Sequence, residues 1–288
     1  MIKIERVANI YSKDFFPVHV LDGVSKIKYH LLKTGIKACP VIEDGKLVGT
    51  ITSDDLLKAH PNRIIADAMC KKIVTISPDI SLWQAHDIFE ESEVDVLVIQ
   101  EEEKILGILP RNLLDIKLGP QKDLLTGLNK SDYIYNQGVN LLNKGQEICI
   151  IFLDVNEFGM IDKTYGHMIG DTIIIELSKL LQDNLPHEAF LCRFGGDEFV
   201  VLLPAHLDKG ATLAYLLADI VARHNFTYGI EITISAGVIG GRRYNERNDN
   251  PWETMENLIN IASLQSTEAK MNNSIISVTN IYDYNEIA

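Results

Sequence analysis

Apolar positions in the first 116 residues fall into short runs separated by polar turns, and the runs come twice. VIEDGKLVGTITSDDLL, from Val41, lies over IQEEEKILGILPRNLLD, from Ile99, at a constant offset of 58 residues. Lys46 matches Lys104, Leu47 matches Ile105, Val48 matches Leu106 and Gly49 matches Gly107. Upstream of each run, SKIKYHLLKTG and SLWQAHDIFEES space their apolar residues as a helix does, and TISPD announces the second copy as a strand entering a turn. Each unit therefore reads strand, helix, strand, turn, strand, helix. Two copies, about 1–58 and 59–116, imply that each half covers the apolar face of the other.

The pattern changes at IKLGPQK, where polar residues and a Gly-Pro breaker make 117–122 a natural linker. Beyond it the spacing predicts a helix over Ser131 to Asn143, a strand in EICIIFLDV and a helix from about Gly170 to Leu185. Two apolar runs, AFLC and FVVLLP, then flank RFGGDEF as a hairpin whose Gly-Gly pair suits a tight turn with positive φ. A helix (LAYLLADIVARH), a strand (GIEITISAGVI), a helix (ETMENLINIASLQSTEAK) and a last strand (SIISV) complete the chain. Strands alternating with helices around one hairpin predict a mixed sheet flanked by helices, with a site at the strand ends.

A length of 288 residues suits two domains, each with its own core. The net charge of −13 argues against a nucleic-acid polymer or an anionic membrane as partner, both of which are held by dense Lys/Arg patches. It does not exclude a nucleotide, because a small anion responds to charges within about 8 Å. The four cysteines form no C-x-x-C pair and fit a reducing cytoplasm, and no apolar run approaches the ~20 residues of a membrane span.

The candidate chemistry is acidic. Asp154 ends the buried run ICIIFL, and a central strand carrying it can lie beside the hairpin that carries Asp197 and Glu198. Three carboxylates at one sheet edge repel unless a cation neutralises them, and hard oxygens suit Mg²⁺ with phosphate as a further ligand. Such a constellation belongs to metal-assisted phosphoryl chemistry.

Two resemblances follow. The repeat over 1–116 resembles a tandem cystathionine-β-synthase (CBS) domain pair, in which a Gly-x-x-Thr-x-x-Asp element often binds an adenine nucleotide. Gly49, Thr52 and Asp55 match it in the first copy, whereas Pro110 and Leu113 replace Thr and Asp in the second, so a ligand such as AMP or ATP is expected at the first. The same residues also read as a helix cap opening at Leu56, and both readings stand here. RFGGDEF, with DLLTGL, LDVNEF and YGHMIGD before it, resembles a GGDEF domain of the diguanylate cyclase family over 123–288. The fold class so implied is α/β and α+β: a CBS pair followed by a palm-like mixed sheet.

The second resemblance implies that two GTP molecules condense to cyclic di-GMP across a homodimer, with two Mg²⁺ ions per site. It implies Asp154, Asp197 and the Val155 carbonyl as metal ligands, and Glu198 as a further ligand or as base. Gly195 and Gly196 let the chain approach the nucleotide, Asp162 and Asp171 read guanine, and Lys270 contacts phosphate. Asp123 and Arg193 form a structural ion pair, and His167 is structural. Several positions depart from the family. Asn156 stands for Asp, Gly159 for Lys, Asp162 for Asn, Thr267 for Tyr and Ser274 for Arg, with Lys163 a partial substitute for the lost charge. Losing two cationic contacts of about 1.5–3 kcal/mol each weakens binding roughly 10²- to 10⁴-fold. Pro186 and Ala189 abolish the family's inhibitory product site. A cyclase is thus expected, with a weak or inactive GTP-binding sensor or dimerisation module as the alternative.

Overall fold

The computed structural model describes residues 5–241 and 250–280, and the rest of the spans 1–116 and 123–288 lies outside the described residues. The chain divides into two compact units, one up to Pro120 and one from Gln121.

In the first unit the repeat is literal. β1 (Val18–His19), α1 (Val24–Thr34), β2 (Ala38–Glu43), β3 (Lys46–Thr52) and α2 (Ser53–Lys58) make the first copy. β4 (Thr75–Ile76), α3 (Leu82–Ser92), β5 (Val96–Glu101), β6 (Lys104–Pro110) and α4 (Arg111–Leu118) make the second. Each copy forms a three-stranded sheet with one parallel and one antiparallel pairing. The pair Val18 and Val41 recurs as Ile76 and Ile99, and the register shift after Val41 recurs after Ile99. Asp44 and Gly45, both at positive φ, close the first hairpin as a two-residue turn. Val24, Ile27 and Leu31 on α1, spaced to share one helix face, are buried with Val41, Ile51 and Leu56.

The copies exchange backbone. Thr50 of β3 makes a reciprocal pair of hydrogen bonds with Cys70, each 2.9 Å, in the segment leading into the second copy. Ile108 of β6 does the same with Ser12, at 2.9 and 3.1 Å, in the segment leading into the first. These approaches explain two glycines. A Cβ on Gly49 would lie 2.6 Å from the Cys70 carbonyl oxygen, and one on Gly107 would lie 2.4 Å from that of Ser12.

The second unit contains α5 (Ser131–Asn143), β7 (Ile148–Val155), α6 (Phe158–Tyr165), α7 (His167–Asp183), β8 (Phe190–Arg193) and β9 (Glu198–Leu203). α8 (Leu207–Arg223), β10 (Ile234–Gly241), α9 (Pro251–Met271) and β11 (Ile276–Asn280) follow. The five strands order as β11-β10-β7-β9-β8, antiparallel except for β10 and β11. Alternate residues of β7 (Cys149, Ile151, Leu153) join the core made with α7 and α8, while α5 and α9 lie on the other side of the sheet. β7 is therefore apolar on both faces, and its polarity appears only at Asp154.

Two expectations need correction. The strand expected in GIEITISAGVI begins only at Ile234; Thr227–Gly229 form a 3-10 turn in which Tyr228 has φ 64°, and the apolar Ile230 and Ile232 are buried without strand pairing. The helix α6 escapes a periodicity reading because it has only eight residues and a single buried one, Ile161.

Candidate active site

β7 ends between two partners. Asp154 stands opposite Glu198 on β9 and opposite Ser235 on β10, which fixes one carboxylate pair by register alone. Asp197 immediately precedes β9, and its carbonyl accepts a hydrogen bond from the Val155 N–H at 3.3 Å. Lys270, on the last turn of α9, closes the group: its Nζ lies 2.5 Å from Asp154 Oδ1 and 3.2 Å from the Val155 carbonyl oxygen. Asp154, Val155, Asp197, Glu198 and Lys270 thus form one cluster.

The cluster is electrostatically loaded. Burial, followed by the charge of Asp154, pushes the Asp197 carboxyl above its ordinary value. Burial, then Asp154, then Asp197, do the same to Glu198, and Lys270 offsets part of each rise. Added positive charge is therefore favourable here. Lys270 already sets a cation against Asp154 Oδ1 and the Val155 oxygen, two hard donors that suit Mg²⁺. Among the described residues, no group of three or more His, Cys, Asp or Glu side chains is arranged to hold a metal alone. An incomplete protein shell fits Mg²⁺, which keeps waters and takes substrate phosphates as ligands.

The RFGGDEF turn differs from the tight hairpin read from sequence. Phe194 to Asp197 form a four-residue connection between β8 and β9, and neither Gly195 nor Gly196 has positive φ. A Cβ on Gly195 would lie 2.4 Å from Glu198 Oε2, the movable end of that side chain. The Gly196 carbonyl is held by Arg193, whose Nε and second guanidinium nitrogen donate to it at 3.0 and 2.5 Å. Arg193 also reaches Asp123 Oδ1 at 2.9 Å, the ion pair expected from sequence. Burial alone would raise the Asp123 carboxyl, but hydrogen bonds from Arg193 and Thr126 outweigh it and hold the group below its ordinary value.

Asp162 and Asp171 lie apart from this cluster, on α6 and α7. Gly166, at φ 85°, joins the two helices, and His167 Nδ1 meets Asp162 Oδ2 at 2.9 Å across the joint. Asp162 Oδ1 sits against Gly170, where a Cβ would come within 2.0 Å of it. The carboxylate is thus turned onto the start of α7, and Asp171 is exposed one turn further on. Gly159 has open space at the Cβ position. Ser274 Oγ donates to the Ile276 carbonyl at 2.9 Å, and Thr267 Oγ1 to that of Ser263 at 3.1 Å, so both are engaged with backbone. A cleft of about 860 Å³ opens beside Lys270, lined by Asn156, Met160, Tyr165, Glu231 and Ser274 among others.

Sequence reasoning missed Ser235 and two bonds of 2.9 Å that tie the exit of β7 to β10: Asn156 Nδ2 donates to Thr233 Oγ1, and Ser235 Oγ donates to Asn156 Oδ1. No local signal marks them, because the register between strands some 80 residues apart is set by the whole sheet. In the first unit, Thr52 and Asp55 form a complete capping box: Asp55 Oδ2 accepts from Thr52 N at 2.9 Å and from Thr52 Oγ1 at 2.7 Å, and Thr52 Oγ1 accepts from Asp55 N at 3.1 Å. A cavity of about 250 Å³ lies instead beside the second copy's element, lined by Ser12, Lys37, Pro110 and Leu113 among others.

A model of the family described as "Diguanylate cyclase, GGDEF domain" matches residues 121–274, and the CBS domain model matches 7–62 and 65–112. The chain belongs to the GGDEF family and carries a CBS pair before that domain. It is 32% identical over 142 residues to the response regulator PleD of Caulobacter vibrioides, covering 44% of this chain and 31% of PleD. It is 28% identical over 164 residues to the diguanylate cyclase DgcZ of Escherichia coli, covering 54% of this chain and 53% of DgcZ. The chain thus spans about a third to a half of the length of these curated relatives. Among solved structures, the diguanylate cyclase SiaD of Pseudomonas aeruginosa, crystallised with its activator SiaC, shares the fold at a TM-score of 0.51 and 22% identity, covering 69% of this chain and 70% of that one. Among the described residues, no helix is long and apolar enough to cross a membrane.

Proposed function

We propose that the chain is a diguanylate cyclase: two copies, each holding one GTP, condense their substrates to cyclic di-GMP and pyrophosphate. The observation that carries this reading is the register pair of Asp154 with Glu198, with Asp197 beside it and Lys270 against both Asp154 and the Val155 oxygen. Asp154, Asp197 and the Val155 carbonyl would hold Mg²⁺, two ions per site with GTP bound, and Glu198 would add a ligand. When bound, the metal supplies positive charge to the triphosphate and acidifies the attacking hydroxyl.

The chain's own groups do the rest. Where it does not ligate the metal, Glu198 is the base that takes the ribose 3′-hydroxyl proton. Lys270 moves from Asp154 onto phosphate. Asp171, an acceptor, takes hydrogen bonds from guanine N1 and N2. Arg193 fixes the Gly196 carbonyl in the turn that carries Asp197 and Glu198. An adenine nucleotide on the CBS pair is the regulator in this reading. Purified protein incubated with GTP and Mg²⁺ is expected to yield cyclic di-GMP, and Asp197→Ala to abolish it. Absence of the product at every protein concentration, with or without AMP or ATP, sinks the proposal.

A second reading, a GTP-binding sensor without turnover, is favoured by one specific observation: Asp162 is held by His167 at the position that resemblance gives to guanine recognition. It requires GTP binding by calorimetry in a protein that makes no cyclic di-GMP.

A further inference from the structure

Lys270 meets two oxygens that are themselves held in place. Its Nζ lies 2.5 Å from Asp154 Oδ1 and 3.2 Å from the Val155 carbonyl oxygen. Asp154 is locked in register between Glu198 and Ser235. The N–H of the Val155–Asn156 peptide donates to the Thr233 carbonyl at 2.9 Å, and a trans peptide points its C=O away from its N–H, so the Val155 oxygen is turned to the opposite side, toward Lys270. The Asn156 side chain repeats the hold through Thr233 Oγ1 and Ser235 Oγ, and Ser235 is only 3% exposed. The helix carrying the lysine is fixed as well: Ala262, Ser266 and Ala269 of α9 are buried, and the helix backbone lies against Gly237 of β10. What can move is the stem of Lys270, a flexible four-carbon chain 38% exposed that lines the cleft of about 860 Å³.

We propose that Lys270 is an internal stand-in for the metal: its ammonium holds the two oxygens that a divalent ion requires, and frees both in one movement when an anion draws it into the cleft. The inference deepens the cyclase reading of this site and rests on it for the metal. Competition follows from charge and distance. Mg²⁺ takes oxygen ligands at about 2.1 Å, so an ammonium still bonded to the same two oxygens sets a second positive charge well inside the roughly 8 Å over which salt screens. The oxygens therefore serve one cation or the other. The cleft gives the lysine its way out, because Lys270 lines it and phosphate there offers a new partner for the ammonium. Metal and triphosphate affinities are coupled by this exchange, each raising the other by the same factor. Lys270 thus strengthens anion binding and weakens the binding of free metal, whereas a lysine that only contacts phosphate does the first alone.

Titration of the full chain with Mn²⁺, a divalent ion of the same oxygen preference, followed by electron paramagnetic resonance without nucleotide, reads the exchange independently of turnover. Lys270→Met keeps the apolar stem and removes the charge. It is expected to bind Mn²⁺ roughly tenfold to a hundredfold more tightly than the wild type, the worth of the charged contact that the metal no longer has to break. Lys270→Gln repeats the gain, and thermal unfolding checks that both variants are folded. Asp154→Asn in the Lys270→Met background removes the gain, which puts the metal on that carboxylate. The gain persists in about 0.5 M KCl, because a direct contact is screened far less than a charge acting at a distance. Lysine variants that bind Mn²⁺ no better than the wild type overturn the inference. So does a gain that survives Asp154→Asn, or one that disappears in the high salt. A protein that makes no cyclic di-GMP yet shows the gain refutes the cyclase and leaves the exchange standing; an active cyclase whose lysine variants show no gain does the reverse.

Discussion

Replacing Gly237 by alanine tests how α9 positions Lys270. Gly237 lies in β10 on the face turned to α9, where a Cβ would stand 1.9 Å from the Ala262 carbonyl oxygen and 2.4 Å from the Ser266 nitrogen. Both are helix backbone atoms, so no rotamer change relieves the clash, and the helix must retreat by about 1.5 Å to restore an ordinary 3.4 Å contact. Overpacking of this kind costs about 1–3 kcal/mol, and a rigid neighbour places it at the upper end. For a unit of this size a loss of about 3 kcal/mol lowers the melting temperature by about 6–12 °C. The same retreat carries Lys270 away from Asp154, whose 2.5 Å contact does not survive such a shift. Gly138 supplies the control: its added Cβ would lie 2.3 Å from atoms of the Met255 side chain, which can swing aside. Differential scanning fluorimetry of Gly237→Ala and Gly138→Ala, with GTP affinity by calorimetry, reads both effects. If Gly237→Ala melts with the wild type, or no lower than Gly138→Ala, the argument that α9 is seated directly on β10 is refuted.

Three further outcomes are expected. Asp197→Asn removes a carboxylate whose folded-state pKa is raised, so the wild type loses stability as pH rises from the unfolded value through the folded one; in EDTA the variant should melt higher than the wild type at pH 7 by differential scanning fluorimetry, and the gain should vanish once pH falls below the unfolded value. Arg193→Met removes the partner that holds the Asp123 pKa down, a contribution present above the unfolded pKa and lost as pH falls through the folded one; urea titration should show a loss of about 2 kcal/mol at pH 7 that shrinks in acid. Thr52→Ala breaks the capping box of α2 and should cost about 1 kcal/mol in the first unit by urea unfolding, and an equal loss of AMP affinity would assign the same oxygen to ligand binding.

Much of this was legible in the sequence, for reasons that differ by element. The first unit was legible because a repeat with a fixed offset reports its own register, so strands, turns and helices of one copy predict those of the other. The acids at 154, 197 and 198 were legible because a carboxylate ending an apolar strand is conspicuous, and the motif order names a family. What stayed hidden depends on distances that no local pattern encodes. The contact of Lys270 with Asp154 joins residues 116 positions apart, and Asp162 turns onto His167 through a two-helix joint whose first helix is too short to show a period. The Gly195–Gly196 pair predicts positive φ, whereas the four-residue connection from Phe194 to Asp197 closes the hairpin without it.

The reciprocal bonds between Thr50 and Cys70, and between Ile108 and Ser12, carry a consequence for how the first unit can be divided. Each repeat gives its leading segment to the other and closes its own outer strand with a borrowed one, the arrangement of a domain swap held within one chain. A single repeat expressed alone lacks the residues that finish its sheet, and two separate repeats can finish each other. The smallest piece that folds is therefore a pair, and a cut between Lys58 and Cys70 should yield two fragments that are stable only together.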